Sequence, residues 1–487
     1  MFFNSINFAF FLPVVFFLYW YGTNGKLKLQ NVLLLLASYF FYASWDYRFL
    51  FLLIFSTFLD YFTGIKMFEA SNGKRKRIWF WISIGINLGF LGVFKYYNFF
   101  SDSLREALSI VGVKADFVTL DIILPVGISF YTFHGLSYVI DIYKNRIKPE
   151  INFIDYSVFV SFFPLLVAGP IERATHLLPQ IQKKRILVYS NAVDGLKQIL
   201  WGLFKKVVIA DGCAEFANLI FNDFNNYHGA TLFLGAVFFA IQIYGDFSGY
   251  SDIAIGTARL FGIDLLKNFA FPYFSRDIAE FWRRWHISLS TWFRDYLYIP
   301  LGGSKGSTWA KIRNTLIIFI VSGFWHGANW TFIIWGLLNA IYIMPSIILK
   351  RNRTNLDIVA KGKLFPSLSE FLSMAITFGL AVIAWVFFRS ENVTQSIVFL
   401  KSAFIGLIHK SAYIETLNLL YWDIGFVLPF LILFFFVVEW YGREKEYGLS
   451  NFFSKSPRIV RWLLYYFMIL LIFYFSGEEK QFIYFQF

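Results

Sequence analysis

IRNTLIIFIVSGFWHGANWTFIIWGLLNAIYIMPSIIL, residues 312–349, is apolar over nearly twice the length that a helix needs to cross a lipid bilayer. A helix of about 20 residues spans the hydrocarbon core, because each residue adds about 1.5 Å along the axis. The stretch therefore predicts two membrane-spanning helices, 312–331 and 332–349. Its basic residues are Arg313, near the start, and His326, which the pattern places at membrane depth.

The rest of the chain has the same character. Of its 487 residues, 57% are hydrophobic and 22% aromatic, and 15% are charged. A soluble domain of this size needs more polar side chains to cover its surface. The sequence therefore predicts an all-α polytopic membrane protein with a single integral domain over 1–487. The further predicted spans are 6–22, 29–45, 47–68, 78–98, 231–258, 370–388, 424–441 and 459–475.

Three features of the composition exclude other classes. No basic residue precedes span 6–22 and no small-residue cleavage site follows it, so we interpret it as a membrane helix and not a signal peptide. Cys213 is the single cysteine, which excludes an internal disulfide or a cysteine-based metal site and favours a buried packing residue over a lipidation site. The net charge of +13 comes mainly from short connections between spans, which favours a topology signal over nucleic-acid binding.

Clusters of basic residues indicate the orientation, because they mark cytoplasmic loops. Placing Lys26, GKRKR (73–77) and KNRIK (144–148) in the cytoplasm puts the N-terminus outside. His326 then lies toward the extracytoplasmic leaflet.

One segment conflicts with this scheme, because a full crossing by 152–168 would put QKKR (182–185) outside. We therefore predict that 152–168, with Pro164 and AGP (168–170), is a broken or re-entrant helix that returns to the cytoplasmic side.

Polar residues at membrane depth are functional candidates, because burying them in lipid is costly. In GFWHGANW (323–330), Gly323 and Gly327 would allow close helix approach. Asn329 lies three residues after His326, on the same face if the helix continues, and Trp325 and Trp330 supply bulk. From the residues alone, His326 is either a packing residue or a catalyst.

Three other segments carry candidates. YGDFSGYSDIAIG (244–256) contains Asp246, Ser248, Ser251 and Asp252, and we favour a structural or site-shaping role over a cation site. LPVGISFYTFHGLSYVIDIY (124–143) contains His134 and Asp141, for which helix packing is favoured over a cavity.

RDIAEFWRRWHISLSTWFRDYLYIPLGG (276–303) predicts an amphipathic helix at the cytoplasmic interface. Arg283, Arg284 and Arg294 suit a phosphate-bearing ligand or, equally, anionic lipid headgroups. The same segment contains His286.

These motifs, together with FPLLVAGPI (163–171), occur in an order that resembles the membrane-bound O-acyltransferase (MBOAT) superfamily. They are most similar to its bacterial branch of alginate and peptidoglycan O-acetyltransferases and teichoic-acid D-alanylation proteins. The resemblance covers about 120–340, with flanking helices over 1–100 and 367–476. It implies a ring of tilted helices around a tunnel, with re-entrant and interfacial helices, in the bacterial cytoplasmic (inner) membrane.

The resemblance implies that His326 is the catalytic residue and His286 a second polar position of the site. The expected donor is a thioester, most simply acetyl coenzyme A, whose phosphates would meet Arg283, Arg284 or Arg294. No metal and no tightly bound cofactor is expected. The remaining candidates for the tunnel are Asn329, Trp325, Asp246, Ser248, Asp252 and His134.

The resemblance also implies partners beyond membrane lipids. In this branch a separate extracytoplasmic transferase with a Ser–His–Asp triad (SGNH-type) often receives the acyl group, for alginate, another polysaccharide, peptidoglycan or teichoic acid. The alternatives are D-alanyl transfer from a carrier protein, an ion or solute transporter that uses Asp246 and Asp252, and a structural scaffold.

Overall fold

The computed structural model describes residues 1–117, 119–120, 123–167, 169–450, 456–477 and 482–483. Within these ranges the chain is helical and contains no β-strand. Helices suit this composition because they satisfy their backbone polar groups within one segment, as lipid requires. The predicted all-α polytopic class is confirmed. The ring of helices around a tunnel and the single integral domain stay predictions.

A first compact unit comprises Met1–Ala192 and Ala258–Leu266. Its helices are α1 Ile6–Phe17, α2 Leu27–Ala43, α3 Tyr47–Glu69, α4 Gly73–Leu91, α5 Tyr97–Ile110, α6 Ile128–Tyr143, α7 Phe153–Ser161, α8 Phe163–Leu166 and α9 Ala174–Ile181. Helices α3, α4 and α6 pack together around the Asp60 carboxylate, which accepts hydrogen bonds from Ser83 (2.6 Å) and Asn87 (2.8 Å). A Cβ at Gly135 of α6 would lie 1.9 Å from this carboxylate, so the glycine permits the contact.

A second unit comprises Val193–Thr257 and Lys267–Phe487. Its helices are α10 Tyr189–Leu203, α11 Asp211–Asn222, α12 Ala230–Leu260, α13 Ile278–Arg284, α14 Ile287–Phe293, α15 Thr308–His326, α16 Trp330–Ile348, α17 Leu368–Arg389, α18 Val393–Gly406, α19 Lys410–Asn418, α20 Val427–Gly442 and α21 Arg458–Phe475. By sequence, α10 begins and α12 ends within the first unit. A π-helical segment, Phe204–Ala210, joins α10 to α11.

Helices α15 and α16 form a closely packed hairpin. A Cβ on Gly323 would lie 2.2 Å from the carbonyl oxygen of Phe332, and one on Gly336 would lie 2.2 Å from that of Phe319. The two backbones therefore touch at glycines, as small residues allow in membrane helices. The close approach predicted at Gly323 is confirmed, whereas Gly327 lies beyond the end of α15.

Within the described residues, six helices are long and apolar enough to cross a membrane. They are Tyr47–Glu69, Gly73–Ile110, Ala230–Leu260, Trp330–Ile348, Leu368–Arg389 and Arg458–Phe475. A bent pair, Val393–Gly406 and Lys410–Ile424, meets the same test with a 107° angle between its halves. The predicted spans 6–22, 29–45 and 424–441 form shorter apolar helices. Helix α15, which carries Lys311 and Arg313 in its first turns, is not one of the six.

The segment 152–168 is broken, as predicted. Helix α7 ends at Ser161, Phe162 leaves the helical conformation (φ −51°, ψ 114°), and α8 is a single turn that contains Pro164. Neither helix is long enough to cross a membrane. Ala168, in the predicted AGP break, lies outside the described residues, and the return to the cytoplasmic side stays a prediction.

The prediction of one amphipathic helix over 276–303 is wrong. The segment contains α13 and α14, which are separated at Trp285 and His286. The His286 backbone has φ 42° and ψ 55°, a left-handed conformation that a continuous α-helix excludes. The amphipathic pattern of the segment does not show this break, because the break depends on backbone hydrogen bonds to Asn268 and Ala270.

Candidate active site

His326 is the last residue of α15 and is 3% exposed. Its ring lies among aromatic side chains, with ring centroids 4.8 Å from Trp325, 5.1 Å from Trp335 and 5.4 Å from Phe388. The chain becomes extended at Gly327, which separates α15 from α16. The imidazole therefore projects from a helix end into an aromatic enclosure.

His286 lies between α13 and α14 and is 1% exposed. Its ring contacts Phe247 edge-on at 4.6 Å. Within the described part of the chain, neither ring nitrogen has a hydrogen-bond partner. Two backbone hydrogen bonds flank the residue, from Ala270 N to Arg284 O (3.0 Å) and from Ile287 N to Asn268 O (2.8 Å).

Trp325 joins the two histidines. Its ring centroid is 6.2 Å from that of His286 and 4.8 Å from that of His326. Two of the site residues predicted from the sequence, forty positions apart, thus contact the same indole. A proton-accepting imidazole and a second polar ring in one apolar enclosure are suitable for acid–base chemistry.

The predicted position of Asn329 on the His326 face is wrong. Because α15 ends at His326, Asn329 instead caps α16, and its side-chain oxygen accepts a hydrogen bond from Thr331 N (3.0 Å). Its amide donates to the carbonyl of Glu391 (2.7 Å). The residue therefore fixes the start of α16 and does not orient the imidazole.

We expect Asn329→Ala to lower the free energy of unfolding by about 1 kcal/mol, as the loss of a helix cap does. Acyl transfer per folded molecule should stay near the wild-type value. Thermal unfolding in detergent and a transfer assay measure the two effects, with Asn329→Asp as the variant that retains the capping oxygen. A large loss of activity at unchanged stability would restore a role beside His326.

A cavity of about 320 Å³ lies beside α15. Ser322, one helical turn before His326, lines it together with Trp282 and Phe319. Its basic lining residues are Arg283, Arg294 and Arg353. The cavity thus combines aromatic walls with three guanidinium groups, an arrangement that suits a ligand with an apolar arm and an anionic end.

The predicted phosphate-binding arginines have different surroundings. Arg283 donates to the carbonyls of Asn352 (2.9 Å) and Asn355 (2.7 Å), and Arg294 pairs with Asp295 (2.7 Å). Arg284 does not line the cavity, and its guanidinium pairs with the buried Glu280 (2.7 Å). Arg353 lines the cavity but was not a candidate from the sequence, because the basic cluster KRNR (350–353) lies between two predicted spans and indicated only topology.

Asp246 and Asp252 are buried in α12 and pair with adjacent lysines. Lys206 Nζ lies 2.8 Å from an Asp246 carboxylate oxygen, and Lys205 Nζ lies 2.5 Å from an Asp252 oxygen. This pairing agrees with the structural role favoured from the sequence and argues against a free cation path. Both lysines were missed, although two consecutive cations in the apolar run ILWGLFKKVVIA (199–210) were a detectable signal.

Two C-terminal residues of the second unit, Phe482 and Ile483, pack against α12. Phe482 is fully buried, with its ring 4.6 Å from Tyr250 and 5.7 Å from Phe247. Ile483 N donates to Asp246 (2.7 Å). Phe247 therefore contacts both this segment and His286, a proximity that no spacing in the sequence indicated.

His134 and Asp141 belong to the first unit. His134 Nε2 accepts a hydrogen bond from Glu172 N (3.1 Å), and Asp141 pairs with Arg146 (3.0 Å). Both contacts are consistent with the packing role that the sequence favoured. Cys213 is fully buried, which confirms the prediction of a packing residue.

A sequence model described as MBOAT, membrane-bound O-acyltransferase family, matches residues 143–364. The probable alginate O-acetylase AlgI of Pseudomonas aeruginosa is 40% identical over 464 residues, which make up 94% of this chain and 84% of the relative. The chain belongs to the membrane-bound O-acyltransferase family. The resemblance seen in the sequence motifs is thereby confirmed, and this MBOAT protein is an O-acyltransferase.

Two further relatives indicate where this MBOAT protein lies within the family. The peptidoglycan O-acetyltransferase of Helicobacter pylori is 38% identical over 436 residues, covering 83% of this chain and 80% of the relative. The teichoic acid D-alanyltransferase of Bacillus subtilis is 30% identical over 226 residues, covering 44% and 57%. The similarity to the two acetylating relatives is thus higher and more extensive.

Proposed function

We propose that this protein moves an acetyl group from a cytoplasmic thioester to a hydroxyl group of an extracytoplasmic glycan. The observation that carries the proposal is the convergence of His286 and His326 on Trp325. The names of the acetylating relatives support acetate as the acyl group and alginate or peptidoglycan as the class of acceptor.

The proposed reaction is a direct acyl transfer. A nitrogen of the neutral His326 imidazole accepts the proton of the acceptor hydroxyl as its oxygen attacks the thioester carbonyl carbon. A C–O bond forms, the C–S bond breaks, and the departing sulfur takes up the proton from His326 as coenzyme A leaves. The aromatic enclosure keeps bulk water from competing with the acceptor.

The 320 Å³ cavity is the proposed site for the donor arm. Trp282 and Phe319 would contact its apolar part, and Arg283, Arg294 and Arg353 would meet its phosphates by charge-assisted hydrogen bonds. This placement requires the cavity to open toward the cytoplasm, in agreement with the orientation inferred from the basic loops. It also requires the inner membrane location that the family resemblance implies and the extracytoplasmic N-terminus that the basic loops predict.

The proposal includes a separate extracytoplasmic transferase as the immediate or final partner. D-alanyl transfer from a carrier protein is the second candidate. It has less support, because the Bacillus subtilis D-alanyltransferase is 30% identical over 44% of this chain, whereas the alginate O-acetylase relative is 40% identical over 94%.

The test uses purified protein in lipid nanodiscs with radiolabelled acetyl coenzyme A and either alginate or peptidoglycan fragments, with and without the partner transferase. We expect release of coenzyme A and label on the glycan hydroxyls. If turnover occurs only with an acylated carrier protein, that protein and not acetyl coenzyme A is the acyl donor. Absence of turnover from every thioester would overturn the proposal.

A further inference from the structure

A second, smaller cavity in the same unit is lined mainly by polar and charged side chains, together with the apolar Ile255, Phe269 and Phe271. Its volume is about 20 Å³, which is enough for one water molecule. The polar side chains that line it include Gln198, Lys205, Ser248, Ser251, Asp252 and Asn268. This cavity combines residues of the YGDFSGYSD motif with residues from α10 and from the segment before α13.

Four of the residues that line this cavity each carry a buried polar atom without a hydrogen-bond partner among the residues that the structure describes. These atoms are Gln198 Oε1, Ser248 Oγ, Ser251 Oγ and Asn268 Nδ2. Their side chains belong to residues that are at most 3% exposed. Buried polar atoms in folded proteins nearly always have partners, so a group of four around one cavity indicates a ligand.

The chemistry of the four atoms favours water as this ligand. The amide of Asn268 can only donate, the oxygen of Gln198 can only accept, and the two serine hydroxyls can do either. A water molecule donates two hydrogen bonds and accepts two. Asp252, Glu439 and Glu446 bring carboxylates to the lining. A cation nevertheless fits less well than water, because the Lys205 ammonium already lies 2.5 Å from Asp252 and the Asn268 amide nitrogen can only donate.

The other side of Asn268 connects directly to the residues after His286. Its backbone oxygen accepts from Ile287 N (2.8 Å), and its side-chain oxygen accepts from Ser288 Oγ (2.5 Å). His286 itself is in the left-handed region, a conformation that persists in a non-glycine residue only when its surroundings enforce it. Asn268 supplies two of the contacts that enforce it.

We propose that Asn268 is a positioning residue for His286, and that a water molecule in the polar cavity fixes the Asn268 amide. Gln198, Ser248 and Ser251 hold this water, and the Lys205–Asp252 ion pair with Gln198 (Nε2 to Asp252 Oδ1, 2.8 Å) fixes the cavity wall. The catalytic part of this inference rests on the proposed role of His286 in acyl transfer, whereas the conformational part does not.

Asn268→Ala should lower kcat by about 10- to 100-fold, as displacement of a catalytic group does, with less than about a twofold change in KM for the donor. In a His286→Ala background the same substitution should cause no further loss, because the two residues act as one unit. Asn87→Ala is the matched control: a buried asparagine of the first unit whose removal also deletes hydrogen bonds to a carboxylate and a carbonyl.

Hydrogen–deuterium exchange gives a readout that needs no substrate. The backbone amides of 287–292 should exchange faster in Asn268→Ala than in wild type and should not change in Asn87→Ala. Unchanged exchange in Asn268→Ala overturns the inference, whatever the activity. If Asn268→Ala lowers kcat equally in the wild-type and His286→Ala backgrounds, Asn268 does not act through His286 and the positioning role is overturned. Suppose that amide exchange is faster in Asn268→Ala but that His286→Ala retains full activity. This result refutes the proposed catalytic role of His286 and leaves the conformational role of Asn268 intact.

The water has its own test in an experimental density map. Density within hydrogen-bonding distance of Asn268 Nδ2, Gln198 Oε1 and a serine hydroxyl supports it. Direct hydrogen bonds among these side chains, with the cavity closed, refute it.

Discussion

His326→Ala should reduce acyl transfer by about 10²- to 10⁴-fold, the usual contribution of a positioned general base. The imidazole lies against Trp325, Trp335 and Phe388, and none of these three aromatic side chains can accept the proton in its place. The rate is measured as coenzyme A release from radiolabelled acetyl coenzyme A in the presence of the glycan acceptor.

The matched variant is His326→Gln, which has nearly the same size and retains hydrogen-bonding atoms but cannot take up a proton. Both variants should lose activity, and His326→Gln should retain a thermal unfolding midpoint closer to wild type. Near-normal activity in either variant would remove His326 from the mechanism.

Lys206→Met should lower the free energy of unfolding by about 3–5 kcal/mol, the effect of removing one partner from a buried ion pair. Lys206 is 1% exposed, and its ammonium lies 2.8 Å from Asp246 and 2.8 Å from Asp211. Without the lysine, both carboxylates remain in a poorly hydrated environment. Chemical unfolding in detergent, followed by tryptophan fluorescence, measures the change.

Lys66→Met is the control for this effect, because Lys66 forms a pair of the same length, 2.8 Å, with Glu69 at an exposed position. Exposed pairs contribute at most about 1 kcal/mol. The double variant Lys206→Met/Asp246→Asn should recover part of the lost stability, since it removes one of the uncompensated charges. A Lys206→Met effect no larger than that of Lys66→Met would show that the pair does not stabilise the fold.

The helical class and most of the spans could be predicted from the sequence, because hydrophobicity over about 20 residues determines whether a helix can enter lipid. His326 could be found for the same reason, as a basic ring within an apolar run. The local pattern of hydrophobic residues was sufficient to predict those features that the lipid bilayer itself requires.

Features that depend on contacts between distant segments could not be predicted. The left-handed backbone of His286 depends on residues 268–270, and the lysine partners of Asp246 and Asp252 lie 40 and 47 residues earlier in the chain. Asn329 was misplaced because helical spacing was assumed beyond Gly327, although the backbone leaves the helix and becomes extended at that residue. The errors at His286 and Asn329 both assumed that a helix continues where it ends.

The backbone contact between Gly323 and Gly336 restricts how the enzyme can be redesigned. Neither position accommodates even a methyl group. The distance between α15, which carries His326, and α16, which carries Trp335, therefore cannot be changed by substitutions at this helix–helix contact. Efforts to make the enzyme accept bulkier acyl chains should therefore trim aromatic side chains such as Phe388 and leave the hairpin intact.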